Sequence, residues 1–113
     1  MLSKLNRLKK KRDFEKVFKM GKGFKQDFLA LKFNKNGLKN SRFGFIVSLK
    51  VSKKAVVRNK VKRRLREAVR ARIKNFKKGF DIALIALPDS STKDFEEIDR
   101  VVERLFKKTK ILN

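Results

Sequence analysis

The chain has 113 residues, of which 34 are Lys or Arg and 11 are Asp or Glu, so its formal net charge at pH 7 is +23. This length suits one domain with a single modest core, and so large an excess of positive charge predicts a polyanionic partner such as a nucleic acid. The absence of Cys and His excludes disulfide bonds, thiolate metal sites and acid–base catalysis by imidazole.

The positive charge is concentrated in the first four fifths of the chain. Residues 1–88 contain 28 basic and 5 acidic residues, whereas residues 89–113 contain six of each. Hydrophobic residues make up 41% of the chain and include 11 Phe, which is more apolar material than disordered basic tails contain. The sequence therefore predicts a folded domain with one strongly basic face.

The location predicted from the sequence is the cytoplasm, with no membrane partner. The basic N-terminus is not followed by an apolar run of signal-peptide or membrane length. The lack of Cys is compatible with a reducing compartment.

The first twelve residues are predicted to form a basic and mobile arm. They show no helical or strand period, and they offer Leu2, Leu5 and Leu8 for packing. We expect this arm to become ordered when a partner binds.

A short helix is predicted to follow the arm. Asp13 is a suitable N-cap, and Phe14, Val17 and Phe18 fall on one side at helical spacing. Gly21 is expected to end the helix in a left-handed conformation.

Three segments have the patterns of strands. Residues 24–33 alternate in hydrophobicity, residues 34–41 (NKNGLKNS) provide a turn, and residues 43–51 alternate again. The continuous apolar run over residues 80–88 is bounded by Gly and Pro, and it predicts a central strand buried on both faces.

Two further helices are predicted on either side of that central strand. Residues 55–76 place apolar side chains at helical spacing, and a last helix begins after Ser90, Ser91 or Thr92 as an N-cap. The order of elements predicts an α+β sandwich with helices against one sheet.

The long helix and the residues around it form the strongest candidate binding surface. Between Lys50 and Lys78, 14 of 29 residues are basic and Glu67 is the only acid. A charged run is usually a solvated helix face, but ordinary soluble surfaces mix both signs. The near absence of acids therefore favours contacts with several phosphates at once, which give strong and salt-sensitive binding. The cations expected on this arc are Lys60, Lys62, Arg63, Arg64, Arg66, Arg70 and Lys74.

A second candidate surface is aromatic. Phe14 and Phe18, together with the alternating faces of residues 28–33 and 44–50, would form a groove lined by Phe and edged by Lys. Unpaired bases stack on aromatic rings, so such a groove suits single-stranded RNA. The alternative is that these Phe side chains belong to the core.

A cluster of carboxylates is a third and weaker candidate site. Asp94, Glu96, Glu97 and Asp99 would be metal ligands in a two-metal nuclease, whereas the alternative is a solvated first helical turn favoured by the helix dipole. Asp81 is a lone carboxylate in an apolar strand and does not make such a site.

Three segments resemble the bacterial ribonuclease P protein family. They are Asp13–Phe18 (DFEKVF), Arg42–Ser48 (RFGFIVS) and Arg58–Arg63 (RNKVKR), and the resemblance extends from about Leu8 to Ile111. Lys60 stands where the family signature has its second Arg, which keeps the charge but not the planar fork that binds phosphate bidentately.

The resemblance implies a particular fold. It implies one RNA-binding domain over residues 1–113, a ribosomal protein S5 domain 2-like α/β sandwich. The sheet is expected to be mainly antiparallel, with about four strands and three helices. The family also has a left-handed strand-helix-strand crossover, opposite in hand to the usual connection.

The resemblance also implies separate roles for the protein and for an RNA subunit. The protein would bind the catalytic ribonuclease P RNA in a 1:1 complex and the 5′ leader of precursor tRNA, while the RNA subunit and its Mg²⁺ hydrolyse the phosphodiester bond. No catalytic residue, metal or cofactor is then expected on the protein alone.

Two sets of residues are implied by the resemblance as contact sites. The expected contacts with the RNA subunit are Lys53, Lys54, Arg58, Asn59, Lys60, Lys62, Arg63, Arg64 and Arg66. The expected contacts with the leader are Phe14, Phe18, Leu29, Leu31, Ser48 and Lys50. Two alternatives stay open, namely a structural RNA-binding protein of the ribosomal kind and a nuclease that acts without an RNA subunit.

Overall fold

Three helices and four strands make up most of residues 2–111, the part of the chain that the computed structural model describes. The helices are α1 (Lys11–Met20), α2 (Ala55–Arg70) and α3 (Phe95–Thr109), and the strands are β1 (Lys22–Gln26), β2 (Leu29–Lys35), β3 (Arg42–Ile46) and β4 (Phe80–Ala86). Short 3₁₀ turns lie at Lys4–Asn6, Ile73–Asn75 and Pro88–Thr92. Within these residues, none of the helices combines the length and the apolar character that a membrane crossing requires.

The strands form a single mixed sheet in the order β1-β2-β4-β3. The pairs β1–β2 and β2–β4 are antiparallel, whereas β3 and β4 are parallel and joined through α2. This arrangement confirms the predicted α+β class with a mainly antiparallel sheet of four strands. The prediction that β4 is central is also confirmed, although the hand of the crossover stays a prediction.

The segment predicted as one strand over residues 24–33 is a tight hairpin. Gln26 pairs with Leu29, and the two residues between them make the turn, where Asp27 has a left-handed φ of 52°. Asp tolerates this conformation better than most residues. The two turn residues, Asp27 and Phe28, are not the Asn-Gly or Asp-Gly pair that usually indicates such a turn, so the two strands resembled one alternating run.

The two faces of the sheet are covered to very different extents. Against one face, α2 and α3 build the main core, where the rings of Phe43, Phe76 and Phe106 lie with centroids 4.6–6.4 Å apart. Against the other face, α1 packs through a small cluster of Leu8, Val17 and Ala83, with Phe14 at its margin. The second face is therefore only partly covered.

The N-terminal segment packs against the edge of the sheet, while the mobility that the sequence predicts for it stays a prediction. Leu2 and Leu8 are each only 4% exposed, and Leu8 N donates a hydrogen bond of 2.9 Å to the carbonyl of Phe43 on the edge strand β3. The Asn6 amide donates to the Ser41 carbonyl at 2.9 Å. A free strand edge thus gives this segment hydrogen-bond partners that no local period reveals. Met1 of the predicted arm and residues 112–113 of the predicted domain lie outside the described residues.

The ends of α1 correct two predictions about caps. The helix begins one turn earlier than predicted, with Lys10 as N-cap and no side-chain cap, and Asp13 lies within the first turn. Gly21 does end the helix, but its φ is −81°, which is not left-handed. Glycine is needed there because a Cβ would overlap the Val17 carbonyl oxygen and lie 2.8 Å from that of Phe33.

The ends of the other two helices also differ from the predicted ones. The helix α2 ends at Arg70, and Lys74 lies in the following 3₁₀ turn. The helix α3 is capped by Asp94, whose carboxylate accepts a hydrogen bond of 2.9 Å from Glu97 N. Residues 88–92, where the caps were predicted, form a separate 3₁₀ turn.

Candidate nucleic-acid interface

The basic helix α2 packs one apolar stripe against the core, and its other sides carry cations. Val61, Leu65, Ala68 and Val69 are fully buried, as their spacing predicts. Among the predicted contacts with the RNA subunit, five are exposed and four are half-buried. The exposed residues are Lys53, Lys54, Asn59, Lys60 and Arg63, and the half-buried ones are Arg58, Lys62, Arg64 and Arg66.

Two of the half-buried arginines have partners inside the protein. Arg58 donates through Nη1 to the Ser52 carbonyl at 2.9 Å, which ties the loop before α2 to the helix. Arg64 donates through Nη1 to the Lys93 carbonyl at 2.9 Å, which ties α2 to the segment before α3. Each guanidinium has four further N–H donors. Arg58 therefore shapes the loop, while Arg64 faces the α3 side of the helix.

Residues 47–54 form a loop and not the end of a strand, because β3 ends at Ile46. Val47 and Val51 are buried, whereas Leu49 between them is 66% exposed. A turn closes the loop, with Val51 N donating to the Ser48 carbonyl at 3.0 Å. Of the predicted leader contacts, Ser48 and Lys50 lie exposed in this loop.

A groove of about 470 Å³ lies between α1 and the edge strand β3. Its apolar lining is formed by Phe14, Phe18, Phe45, Ile46 and Val47, and its cations are Lys9, Lys11 and Lys62. A second cavity of about 400 Å³ shares Lys9, Phe14, Phe45 and Lys62 with the groove and extends to Arg7 and Arg66. Among the described residues, no acid lines either space. The groove and the basic helix are thus connected through Lys62.

The two aromatic residues predicted for the groove occupy it in different ways. Phe14 is half-buried on Gly44, so closely that a Cβ on Gly44 would overlap its ring. Phe18 is 36% exposed, and Lys32 Nζ lies 5.9 Å from its ring centroid. Phe14 is therefore both part of a small core and part of the groove wall, and Phe18 presents an accessible ring.

Leu29 and Leu31 are wrong as leader contacts. Both are 0% exposed and belong to the main core beneath α2 and α3. Strand residues alternate between faces, so the side of β2 that faces α1 bears Ala30 and Lys32 instead. The alternation was visible in the sequence, but the face turned toward α1 was not.

Two groove residues, Lys9 and Lys11, were missed from the sequence, because they were assigned to the arm without a role in the groove. Phe45, Ile46 and Val47 lie within residues 44–50, whose alternating faces were predicted to form part of the groove, but they were not named as leader contacts. The signal for these three was the alternation over residues 43–51, in which one face can be open to a ligand when the other is core.

Three of the four carboxylates considered as metal ligands are engaged within the protein. Asp94 caps the helix, Asp99 Oδ1 pairs with Arg72 Nη1 at 2.6 Å, and Glu97 pairs with Lys93 at 3.8 Å. Within the described part of the chain, no group of three or more Asp, Glu, Cys or His side chains is arranged to hold a metal ion. The geometry agrees with a capped and ion-paired first turn.

Comparison with known proteins finds matches over nearly the whole chain. The family model described as Ribonuclease P matches residues 2–110. The ribonuclease P protein component of Clostridioides difficile is 43% identical over 105 residues, which cover 92% of this chain and 91% of the relative.

Two solved structures are similar in fold. The RNase P protein of Thermotoga maritima superposes with a TM-score of 0.82 at 37% identity, over 90% of this chain and 96% of that one. A Staphylococcus aureus RNase P protein mutant, described as defective in mRNA degradation activity, superposes with a TM-score of 0.90 at 28% identity, over 96% of this chain and 92% of that one. Sequence and fold together show that the chain belongs to the bacterial ribonuclease P protein family.

Proposed function

We propose that this protein binds the catalytic RNA subunit of ribonuclease P and the 5′ leader of precursor tRNA, and so assists removal of the leader. The observation that supports this best is the Phe-lined groove between α1 and β3, which has lysines at its edge and opens onto the basic helix α2. Such a groove combines stacking platforms with a cationic path for a single strand.

The leader is proposed to lie in the groove. Phe18 has an accessible ring beside Lys32 on which a base would stack, and Lys9, Lys11 and Lys62 line the groove, where they would meet phosphates. Single-stranded RNA is commonly bound through bases stacked on aromatic rings, at roughly 1–3 kcal/mol per base. Ser48 and Lys50 follow the groove strand and would meet the next nucleotides.

The RNA subunit is proposed to bind the exposed side of α2 and the loop before it. Lys53, Lys54, Asn59, Lys60 and Arg63 are exposed there. Arg58 supports this surface by fixing the loop to the helix. Cations that neutralise several phosphates together release counterions, which makes the affinity high and dependent on salt.

Hydrolysis is assigned to the RNA subunit with its Mg²⁺, in a 1:1 complex with the protein. The protein's own contribution in this proposal is to bind and orient the leader relative to the RNA subunit. A cleavage assay with the RNA subunit, precursor tRNA and low Mg²⁺ tests this, and we expect the protein to increase cleavage. An unchanged cleavage rate would instead favour a structural RNA-binding protein of the ribosomal kind.

Cleavage by the chain alone is a second candidate, favoured by the mRNA degradation activity named for the Staphylococcus aureus relative. Incubation of the purified chain with precursor tRNA and with an mRNA, in the absence of the RNA subunit, tests it. Cleavage lost in Glu97→Gln would identify the acidic end of α3 as its site and would contradict the proposal above.

Phe18→Ala is expected to weaken binding of leader-bearing precursor tRNA by about fivefold or more, because one stacking platform is lost. Binding of mature tRNA to the same holoenzyme is expected to stay unchanged. The matched control is Phe95→Ala, since Phe95 is 40% exposed, close to the 36% of Phe18, but lies at the start of α3 and outside the groove. Equal losses for both RNAs, or for both variants, would contradict leader stacking.

Lys60→Ala and Arg63→Ala are each expected to weaken binding of the RNA subunit. Each should also flatten the dependence of log affinity on log salt by about one unit, because one phosphate contact is lost. Filter binding over a salt series measures the slope. The control is Lys107→Ala on α3, a helix with four basic and four acidic residues. A slope as steep as that of the control would show that these cations face solvent in the complex.

A further inference from the structure

The helix that forms one wall of the groove has little apolar anchorage. Among the residues of α1, all within the described range, Val17 alone is buried. The cluster beneath it contains Leu8 and Ala83, with Phe14 half-buried beside them. So small an apolar contact fixes the helix only weakly in rotation and tilt, and its position therefore depends on polar contacts.

One polar contact lies at the first turn of α1. Arg42, on β3, is bound to Asp81, on β4, through two hydrogen bonds, Nε to Oδ1 at 2.8 Å and Nη2 to Oδ2 at 2.6 Å. The remaining nitrogen, Nη1, lies 3.4 Å from Asp13 Oδ2 on α1. A single guanidinium thus links two neighbouring strands to the helix.

The guanidinium is held firmly from the sheet side. Asp81 is only 6% exposed, and its Oδ1 also accepts a hydrogen bond of 2.9 Å from the Asn36 amide. The hydrogen bonds to Asp81 hold the pKa of Arg42 above its ordinary value against the opposing effect of burial. Planar, bidentate pairing of this kind fixes direction as well as distance. Arg42 therefore offers Asp13 a fixed anchor.

A second polar contact lies near the end of α1. Lys32, on β2, donates a hydrogen bond of 3.0 Å from Nζ to the Phe18 carbonyl. The two contacts are separated by more than one turn of the helix, so together they restrict its rotation and tilt. Phe14 follows Asp13 directly and is the residue that lies on Gly44 at the groove wall.

We propose that Arg42 is a positioning residue for the groove, which sets the position of Phe14 and of α1 by binding Asp13 while Asp81 holds it. This inference rests on the proposed function, since the groove is the proposed leader site. Arg42 itself lines the polar pocket on the other side of α1, together with Lys10 and Lys16, and does not line the groove. It would act on the leader only through α1.

The test is Asp13→Asn compared with Glu15→Gln in the holoenzyme. Both variants remove one negative charge from α1, but Glu15 has only an exposed contact of 4.0 Å with Lys11. Asp13→Asn is expected to lower the ratio of affinities for leader-bearing over mature tRNA by about fivefold, equivalent to one weakened stack. Glu15→Gln is expected to leave that ratio unchanged, and Asp13→Glu should restore most of it.

The outcomes separate this inference from the proposed function. If Asp13→Asn matches Glu15→Gln while Phe18→Ala lowers the ratio, the positioning role is overturned and the leader groove stands. If neither Asp13→Asn nor Phe18→Ala lowers the ratio, both are overturned. Equal weakening of both RNAs by Asp13→Asn would mean a general structural role and would also overturn the positioning role.

Discussion

Arg42→Ala is expected to lower the free energy of unfolding by about 3–5 kcal/mol, because it leaves a buried carboxylate without its ionic partner. Asp81 is only 6% exposed, and both of its oxygens accept hydrogen bonds from Arg42. The amide of Asn36 would remain as a neutral donor to one oxygen. A small domain has roughly 5–15 kcal/mol of stability in total, so this is a large share.

Urea unfolding of the free protein measures this loss, and two variants serve as references. Arg70→Ala removes an exposed arginine whose pair with Glu67 spans 3.6 Å, and it is expected to cost about 0–1 kcal/mol. The double variant Arg42→Met with Asp81→Leu removes both charges and should recover most of the loss. If Arg42→Ala were no worse than Arg70→Ala, the pair with Asp81 would contribute little to stability.

The pair between Arg42 and Asp81 also shows what local sequence patterns do not predict. Asp81 was interpreted as a lone carboxylate in an apolar strand, because its partner lies 39 residues earlier in the chain. The two residues face each other only through the parallel register of β3 and β4. Register between distant strands depends on the packing of the whole sheet, which periodicity within one segment does not report.

Elements with a strong local period were predicted well. The apolar stripe of α2 at Val61, Leu65 and Val69 is buried as expected, and the continuous apolar run gave the central strand β4. Errors occurred where tertiary contacts decide. The hairpin turn at Asp27 lacks a glycine signal, and the contact of the N-terminal segment with the free edge of β3 has no local pattern.

The candidate site was predicted in composition but only partly in geometry. Phe14 and Phe18, predicted for the groove, do line one groove, and Lys62, predicted for the surface that meets the RNA subunit, lines it as well. Leu29 and Leu31 were assigned to it wrongly, because the alternation of a strand does not tell which of its two faces packs against the main core. The face that meets α1 depends on where the helix crosses the sheet. The residue spacing within β2 cannot predict this.

Gly44→Ala is expected to reduce the affinity for leader-bearing precursor tRNA by about tenfold and to cost about 1–3 kcal/mol of stability, as overpacking does. A Cβ on Gly44 would overlap two ring atoms of Phe14 and lie 3.3 Å from the Leu8 Cβ. The ring must then leave the sheet, and the groove wall changes with it. The control is Gly23→Ala on β1, where the nearest atom, Lys32 Cε, lies at an ordinary 3.5 Å.

A double-mutant cycle separates this cause from a general effect of alanine in β3. In a Phe14→Ala background the ring is absent and only the tight contact with the Leu8 Cβ remains, so Gly44→Ala should cost much less further stability and almost no further leader affinity. The coupling between the two positions would then account for nearly all of the single-variant loss. Additive losses would mean that Gly44 matters for strand β3 itself and not for the packing of the Phe14 ring on the sheet. If the packing of Phe14 on Gly44 shapes the groove, the two positions should be coupled in their effect on leader affinity. Binding of mature tRNA should then stay unchanged.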